Sequence, residues 1–390
     1  MDDKINWYAI EPLDVLLFRE ATPFVPGEGS WAKGQFPPMP VTVFQALRSI
    51  KDFYGDRKEN KLRDLKFIGP FLSYENQLWL PTPKDLLAVK TKPENQEETP
   101  QDDLDDKTDD WDRTLRFQPM TSEAMEKFGF DRDKLPPMVT PEIGRNEFIS
   151  RPQTWISAEA LSKYLRGETL EPPKDKNQKY FHSDPWSVQI MPHIHMKSGE
   201  RQVKEEEGYF TEVAVRLHSG WQLVAGMSHK LEKTEVVRLG GEGHRALVSP
   251  LSEFKQWELL QEFEKPEEAS NFAYLLTPGL AEKQTAMYGV YPRNWQNLLR
   301  GCASDRPLLW GGVSNIQRRI LNSPNKGDAE FALLPQRAFV PPGTVYIFNE
   351  KLPKDEKLPK DERLLPSAGG SWLKTFQELS YGKLLWGKRS

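Results

Sequence analysis

The sequence predicts an α+β fold divided into two domains, and three observations lead to this prediction. The chain has 390 residues, and a domain commonly takes roughly 150. Runs with strand character alternate with amphipathic helical patterns in both halves. Proline is frequent, with 32 residues in the chain, so we expect long loops and extended segments between the regular elements.

The first elements follow in a clear order. Residues 5–18 are rich in apolar, β-branched and aromatic residues, which predicts one buried strand or two short ones. Glycines and prolines in residues 19–40 then predict a long, shaped loop. Apolar residues spaced by three and four from 41 to 54, with Thr42 near the start, predict an amphipathic helix. Residues 67–81 predict a β-hairpin that turns at Glu75 and Asn76.

Strand, loop, helix and hairpin form the first part of a ferredoxin-like βαββαβ unit, the fold shared with RRM domains. Residues 90–112 interrupt it with acids, Gln, Thr and Pro, which predicts a disordered acidic insertion. Ser157 is placed to cap a second helix that ends near Gly167. We therefore assign residues 1–205 to a first ferredoxin-like domain.

The second half repeats the mixture of strands and helices. Residues 208–216 and 221–227 flank Ser219 and Gly220 and predict a hairpin. Residues 236–239 and 246–248 bracket the glycine-rich sequence GGEGHR. A helix over 254–263 capped by Ser252 and strands at 274–276, 308–310 and 344–348 complete a predicted second ferredoxin-like domain, residues 206–390. EKLPKD occurs twice in succession over 350–361, which is typical of an exposed loop.

Charge and cysteine content narrow the class of protein. The net charge is −4, but residues 93–112 hold ten acids and one base, so the rest of the chain carries +5. That basic body permits RNA binding. The single cysteine, Cys302, excludes an internal disulfide. An acidic start without a long apolar run argues against a signal peptide or a membrane helix, so we expect a soluble, cytoplasmic protein.

Several short sequences, in order along nearly the whole chain, resemble the third subunit of the type III-B Cmr effector complex of CRISPR systems, a member of the RAMP superfamily. Their order and spacing carry the resemblance more than any one of them does. They are IEPLDVLLFREATPF (10–24), FPPMPVTVFQALRS (36–49), FIGPFLSYENQLWLPTPKDL (67–86), RLGGEGHRA (238–246), WGGVSN (310–315) and QRAFVPPGTVYIF (336–348).

The resemblance implies a place for the chain in antiviral defence. It implies two fused ferredoxin-like (RRM-like) domains, contact with the 5′ tag of the CRISPR RNA, and a position beside the large polymerase-like subunit and the backbone RAMP subunit. RAMP proteins usually carry a glycine-rich loop near the C-terminus. The candidates here, residues 379–388 and 369–372, depart from that dense glycine pattern.

The sequence GGEGHR is the first candidate for RNA contact. Glycines let backbone N–H groups approach a phosphate, and an adjacent arginine adds a bidentate contact. The candidate residues are Gly240, Gly241, Gly243, His244 and Arg245. Alternatively, the glycines serve a turn that needs positive φ, and His244 and Arg245 are only solvated.

A second group of candidates lies around the first loop. Arg19, Lys33 and Arg48 are placed to converge on a backbone phosphate, unless Arg19 pairs with an acid such as Glu20 or Glu28. Trp31 and Phe36 suit base stacking, although core packing is the commoner role of such aromatics.

A third group lies in the second half of the chain. Arg318 and Arg319 follow the WGGVSN turn and suit a phosphate backbone or a solvated helix start. Arg293, between Tyr291 and Trp295, offers charge beside aromatic residues that commonly belong to a core.

Catalytic and metal-binding patterns are incomplete. His193 and His195 share one side of a strand but lack further ligands at a recognisable spacing, so we expect no metal and no cofactor. The sequence has no P-loop, no G-x-S-x-G and no nucleophilic cysteine context. We therefore expect a non-catalytic subunit. Two alternatives stay open: a metal-independent RAMP endoribonuclease that uses His244, and a spacer that contacts only proteins.

Overall fold

The structure is a computed structural model. It describes residues 4–19, 31–32, 34–50, 65–91, 110–131, 134–194, 202, 209–281, 289–316, 330–349 and 363–389. The helices are α1 (Pro40–Arg48), α2 (Ser122–Lys127), α3 (Ala158–Leu165), α4 (Glu258–Gln261) and α5 (Ser371–Glu378), with 3-10 turns at Lys255–Trp257, Glu262–Glu264 and Arg293–Trp295.

Strands dominate the described residues. In chain order they are β1 (Asn6–Pro12), β2 (Trp31–Ala32), β3 (Phe67–Tyr74), β4 (Gln77–Pro81), β5 (Leu86–Thr91), β6 (Arg113–Arg116), β7 (Gln118–Pro119), β8 (Met138–Val139), β9 (Glu147–Ser150), β10 (Trp155–Ser157), β11 (Phe181–His182), β12 (Trp186–Ile194), β13 (Tyr209–Leu217), β14 (Trp221–Met227), β15 (Glu235–Arg238), β16 (Arg245–Pro250), β17 (Phe272–Leu275), β18 (Leu299–Ala303), β19 (Leu308–Ile316), β20 (Glu330–Phe339), β21 (Val345–Phe348) and β22 (Leu384–Gly387).

An eight-stranded antiparallel sheet forms the largest part of the fold. Its order is β11-β10-β4-β3-β14-β1-β16-β15. Successive side chains of a strand face opposite sides of a sheet, and in β1 both sides are covered. Tyr8 and Ile10 pack in one core cluster with residues of α1, whereas Trp7 packs in another with residues of α3 and α4. β1 is therefore apolar on both faces, in agreement with the buried strand predicted within residues 5–18.

A four-stranded sheet near the C-terminus has the order β18-β21-β17-β22. In order of appearance this is 2-3-1-4, the arrangement of a ferredoxin-like unit, and α5 precedes its last strand. The large sheet lacks that arrangement, since β14 lies between β1 and the hairpin β3–β4. The α+β class is confirmed, and the division into two ferredoxin-like domains stays a prediction.

One predicted hairpin is wrong. β13 and β14 do not pair with each other: β13 pairs with β12 along nine residues, from Trp186 opposite Leu217 to Ile194 opposite Tyr209. β14 pairs with β1 and β3. The chain changes sheets at Gly220, and Trp221 then packs between Tyr74 and Trp79, with ring centroids 5.2 and 5.7 Å away. The pairing of β12 with β13 therefore joins strands from the two sides of the predicted domain boundary between residues 205 and 206.

Some of the predicted turns and helix caps are found in the structure, and others are not. The Ser157 hydroxyl accepts from the Ala160 N–H and caps α3, as predicted. Glu75 and Asn76 have φ of 48° and 63°, which fits the predicted two-residue hairpin turn. Thr42 is not the cap of α1, because the helix begins at Pro40 and its N-cap is Met39. The helix predicted over 254–263 is three short pieces without a side-chain cap.

Two predicted loops lie largely outside the described residues. Residues 92–109 hold most of the acidic insertion, and residues 350–362 hold the tandem repeat. At the edge of the first, Nζ of Lys90 donates to Asp110 over 2.5 Å. Within the described part of the chain, no helix is both long and apolar enough to cross a membrane.

Candidate nucleic-acid interface

The glycine-rich loop between β15 and β16 is held by backbone hydrogen bonds, one within the loop and one to Leu17 in the segment after β1. The Leu239 N–H donates to the His244 carbonyl over 2.9 Å, and the Gly241 N–H donates to the Leu17 carbonyl over 2.8 Å. Gly240 has φ of 87°, and a Cβ there would lie 2.4 Å from the Leu17 oxygen. The loop therefore needs glycine for backbone geometry and close approach, and the Gly241 amide already has a protein acceptor.

His244 anchors the loop to β13 and is not simply solvated. Its Nε2 lies 2.8 Å from Oε1 of Glu212. The His244 side chain is 15% exposed and that of Glu212 is fully buried. A hydrogen bond to a buried carboxylate is stronger than one between neutral groups. The contact thus attaches the protein-facing side of the loop to β13.

Arg19 fixes the tip of the same loop. Nη2 of Arg19 donates to Oε1 of Glu242 over 2.9 Å, and both side chains are exposed. Arg19 does pair with an acid, as one of the two interpretations expected. Glu20 and Glu28, the acids named there, lie outside the described residues.

Arg245 faces solvent, on the side of the ladder opposite to His244. It begins β16, where its cross-strand partner is Arg238 at the end of β15. The Leu239 N–H bonds the His244 carbonyl, so the next pair of the ladder is a non-hydrogen-bonded pair, where side chains lie closest. Both arginines are exposed. The sequence does not point to Arg238, because the register of β15 and β16 decides which residue lies opposite Arg245.

The remaining candidates do not all gather at this loop. Arg48 is half-buried in the last turn of α1, which lies against β15, and Leu47 of the helix and Val237 of the strand belong to the same core cluster. Arg293 begins a 3-10 turn beside the separate C-terminal sheet. Three predicted contacts, Lys33, Arg318 and Arg319, lie outside the described residues.

The aromatic candidates that can be described belong to cores. Phe36 packs on Trp186 with ring centroids 4.7 Å apart. Trp295 is buried and packs on Tyr346 at 5.3 Å. Burial raises the pKa of Tyr291. Trp31 lies in β2, pairing with Thr211 of β13, and its side chain is not among those described.

His193, His195 and Cys302 are the residues considered for metal or nucleophile chemistry. No group of three His, Cys, Asp or Glu side chains within them is arranged to hold a metal ion. His193 lies in β12, and His195 lies outside the described part. Burial raises the pKa of the Cys302 thiol, which disfavours the reactive thiolate.

The chain is similar to chains in structures titled "Cryo-EM structure of the Type III-B Cmr-beta bound to cognate target RNA and AMPPnP, state 1" (12% identity, 87% and 86% of the two chains, TM-score 0.43) and "Crystal structure of Csm3-Csm4 subcomplex in the type III-A CRISPR-Cas interference complex" (10%, 88% and 93%, 0.33). No curated protein sequence matches. The profile of the family described as "CRISPR-associated protein (Cas_Cmr3)" matches residues 8–389. The chain therefore belongs to the Cas_Cmr3 family of CRISPR-associated proteins.

Proposed function

We propose that the chain is a non-catalytic, RNA-binding structural subunit of the type III-B CRISPR effector complex, acting in antiviral defence in the cytoplasm. In this role it binds the 5′ tag of the CRISPR RNA and docks the large polymerase-like subunit and the backbone RAMP subunit. Family membership supports the place in the complex. The observation that carries RNA binding is the exposed Arg245 beside a loop held in three places.

The three attachments explain why this loop suits a charged ligand. Leu17 and Arg19 lie in the segment after β1 and Glu212 lies in β13, and each holds a different residue of the loop. A ligand that binds a loop already ordered does not have to supply the free energy of ordering it. Arg245 is thus presented from a fixed backbone, and its guanidinium can make paired hydrogen bonds to a phosphate.

The two ferredoxin-like domains belong to the same proposal. The 2-3-1-4 strand order of the C-terminal sheet supports a ferredoxin-like unit there. A sheet of this kind offers a face or its loops to RNA. The division between residues 205 and 206 is proposed as a boundary along the sequence and not as a boundary between sheets. The reason is that β12 and β13, which pair with each other, lie on either side of it.

Tag binding is tested with the purified full chain and two labelled single-stranded RNAs, one with the 5′ tag and one with a scrambled tag of equal length. We expect tighter binding of the tagged RNA, with affinity falling linearly as the logarithm of salt concentration rises. Fluorescence anisotropy measures both. Equal weak binding of the two RNAs would contradict tag recognition, and absence of binding to either would favour the protein-only spacer.

The endoribonuclease alternative has one observation in its favour. A carboxylate beside an imidazole, as in Glu212 and His244, is how many enzymes orient a general base. Here the pair lies at the protein-facing side of the loop, and the imidazole is largely buried. The structural role of His244 therefore accounts for its contacts.

A cleavage assay separates these two roles. Wild-type protein with precursor CRISPR RNA should give no products, with or without divalent metal ion. His244→Ala should instead lower the free energy of unfolding by about 1–3 kcal/mol, because a buried carboxylate loses a hydrogen-bond partner. Cleavage by the wild type that disappears in His244→Ala would establish the enzyme instead.

A further inference from the structure

We propose that Arg238 and Arg245 form a two-arginine clamp that holds a single backbone phosphate of the bound RNA. This inference rests on the proposed function and adds a residue, Arg238, and a mode of recognition to it. It starts from the cross-strand register of β15 and β16, in which these two arginines lie directly opposite each other.

The position of the pair brings the two guanidinium groups within reach of one ligand. The pair lies at a non-hydrogen-bonded site of the antiparallel ladder, where Cβ atoms are about 4.5–5.5 Å apart. Each guanidinium presents a planar fork of donors that matches phosphate oxygens. A phosphate above the two strands can therefore accept from both side chains at once.

The pair has a cost in the free protein. Like charges directly opposite each other on a sheet are destabilising. Among the described residues, neither arginine forms an ion pair: Glu242 bonds Arg19, Glu235 bonds Lys233, and Glu212 bonds His244. Glu11 on β1 faces the same side, but it lies opposite Leu247 and forms no ion pair with either arginine. An anionic ligand would supply the missing countercharge.

The surroundings favour a nucleotide over an isolated anion. Val236, two residues before Arg238, is 53% exposed, and Leu13, whose N–H donates to the Arg245 carbonyl, is 56% exposed. The clamp is thus flanked by apolar side chains on the same open face of the sheet edge. Such a surface can contact a phosphate and, beside it, the apolar parts of a sugar or a base.

The test uses the full chain with Arg238→Ala, Arg245→Ala and the double variant, and Arg145→Ala as a control. Arg145 is an exposed arginine in a turn next to β9, so it matches the change in charge. Affinity for tagged single-stranded RNA is measured by anisotropy across a salt series. Thermal unfolding of every variant is measured in parallel.

We expect each clamp variant to weaken RNA binding by about 10- to 100-fold. Because one phosphate is shared, the double variant should lower the salt slope by about 0.7 in total and weaken binding by less than the product of the single effects. Arg238→Lys with Arg245→Lys should keep the slope but lose affinity, since lysine lacks the fork. The alanine variants should unfold at an equal or higher temperature, because a repulsion is removed.

The outcomes separate the clamp from the function on which it rests. If wild-type protein does not bind RNA, the proposed function fails first. If wild type binds and the double variant binds equally well, only the clamp is wrong. A slope lowered by about 1.4 would show two separate phosphates. Variants that bind RNA normally but fail to enter a reconstituted complex would show that the pair binds an acidic protein surface instead.

Discussion

Two regions of this protein place a pair of arginines side by side, and they do so in opposite environments. At the sheet edge, Arg238 and Arg245 are exposed and form no ion pair with the described residues. Near the C-terminal sheet, Arg389 contacts Asp85 and Arg116 contacts Tyr164. Asp85 and Tyr164 are buried and hydrogen-bonded to each other. The comparison indicates which arginines hold the protein together and which are available to a ligand.

Both carboxylate oxygens of Asp85 have partners within the interior group, whereas Nη1 of Arg116 is buried without a hydrogen-bond partner among the described residues. Oδ1 of Asp85 accepts from the Tyr164 hydroxyl over 2.6 Å, and Oδ2 accepts from Nη1 of Arg389 over 3.3 Å. Arg116 donates to the Tyr164 carbonyl and lies over the Tyr164 ring, 3.9 Å from its centroid. Burial, and then the charge of Asp85, raises the pKa of Tyr164, so its hydroxyl stays a neutral donor.

The interior group also joins distant parts of the chain. Asp85 precedes β5, Tyr164 lies in α3, and Arg389 follows β22. Arg389 further donates to the Phe117 carbonyl. A buried arginine with a carboxylate and carbonyl acceptors is therefore structural here, whereas an exposed arginine opposite another arginine has no such role.

The largest effect should come from removing the interior carboxylate. The Asp85 side chain is 1% exposed and that of Arg389 is 13% exposed. Asp85→Ala leaves a buried guanidinium without its countercharge, which typically costs about 3–5 kcal/mol of unfolding free energy. Chemical denaturation of the full chain measures this loss.

Asp14→Ala is the matched control for Asp85→Ala. Asp14 accepts from Nη2 of Arg216 over 2.6 Å, but both side chains are exposed. A surface pair of this kind contributes roughly 0–1 kcal/mol. Equal losses in the two variants would contradict the distinction between the interior and surface arginines.

An intermediate effect is expected from the backbone of the glycine-rich loop. Gly240→Ala requires an alanine at φ of 87° with its Cβ 2.4 Å from the Leu17 oxygen. Backbone strain of this kind costs on the order of 1–3 kcal/mol, and the clash should place the variant at the upper end. RNA binding should fall as well, since the loop carries Arg245.

Gly243→Ala separates the cost of the backbone conformation from the cost of the close contact with Leu17. Gly243 also has positive φ, 80°, but a Cβ there would have no atom within 4 Å. We expect only the conformational cost, roughly 1–2 kcal/mol. Thermal unfolding of both variants provides the measurement. A loss at Gly243 as large as that at Gly240 would mean that the approach to Leu17 is unimportant.

The contrast between local and long-range information explains which features the sequence predicts. The Ser157 cap and the Glu75–Asn76 turn depend on neighbouring residues, and both are found. The sheet that receives β14 depends on partners about 150 residues away, such as Leu72 opposite Leu223. A turn signal at Gly220 cannot distinguish a hairpin from a change of sheet.

The candidate site shows the same limit. The sequence identifies the loop and Arg245, because glycine beside arginine is a local pattern. It does not reveal that Glu212 lies opposite His244, since 32 residues separate them. Arg238 becomes visible only from the register, because a strand shifted by one residue would turn that side chain to the other face.

The smallest effect should come from the exposed pair at the tip of the loop. Nη2 of Arg19 and Oε1 of Glu242 are 2.9 Å apart, but both side chains are solvated. Glu242→Ala should therefore change the unfolding free energy by less than about 1 kcal/mol. Glu242→Ala also removes a negative charge close to the clamp, so RNA binding should become slightly tighter at low salt and unchanged at high salt. A double-mutant cycle with Arg19→Ala gives the coupling of the pair in unfolding experiments. A coupling well above 1 kcal/mol would show that this pair, like the interior group, holds the fold together.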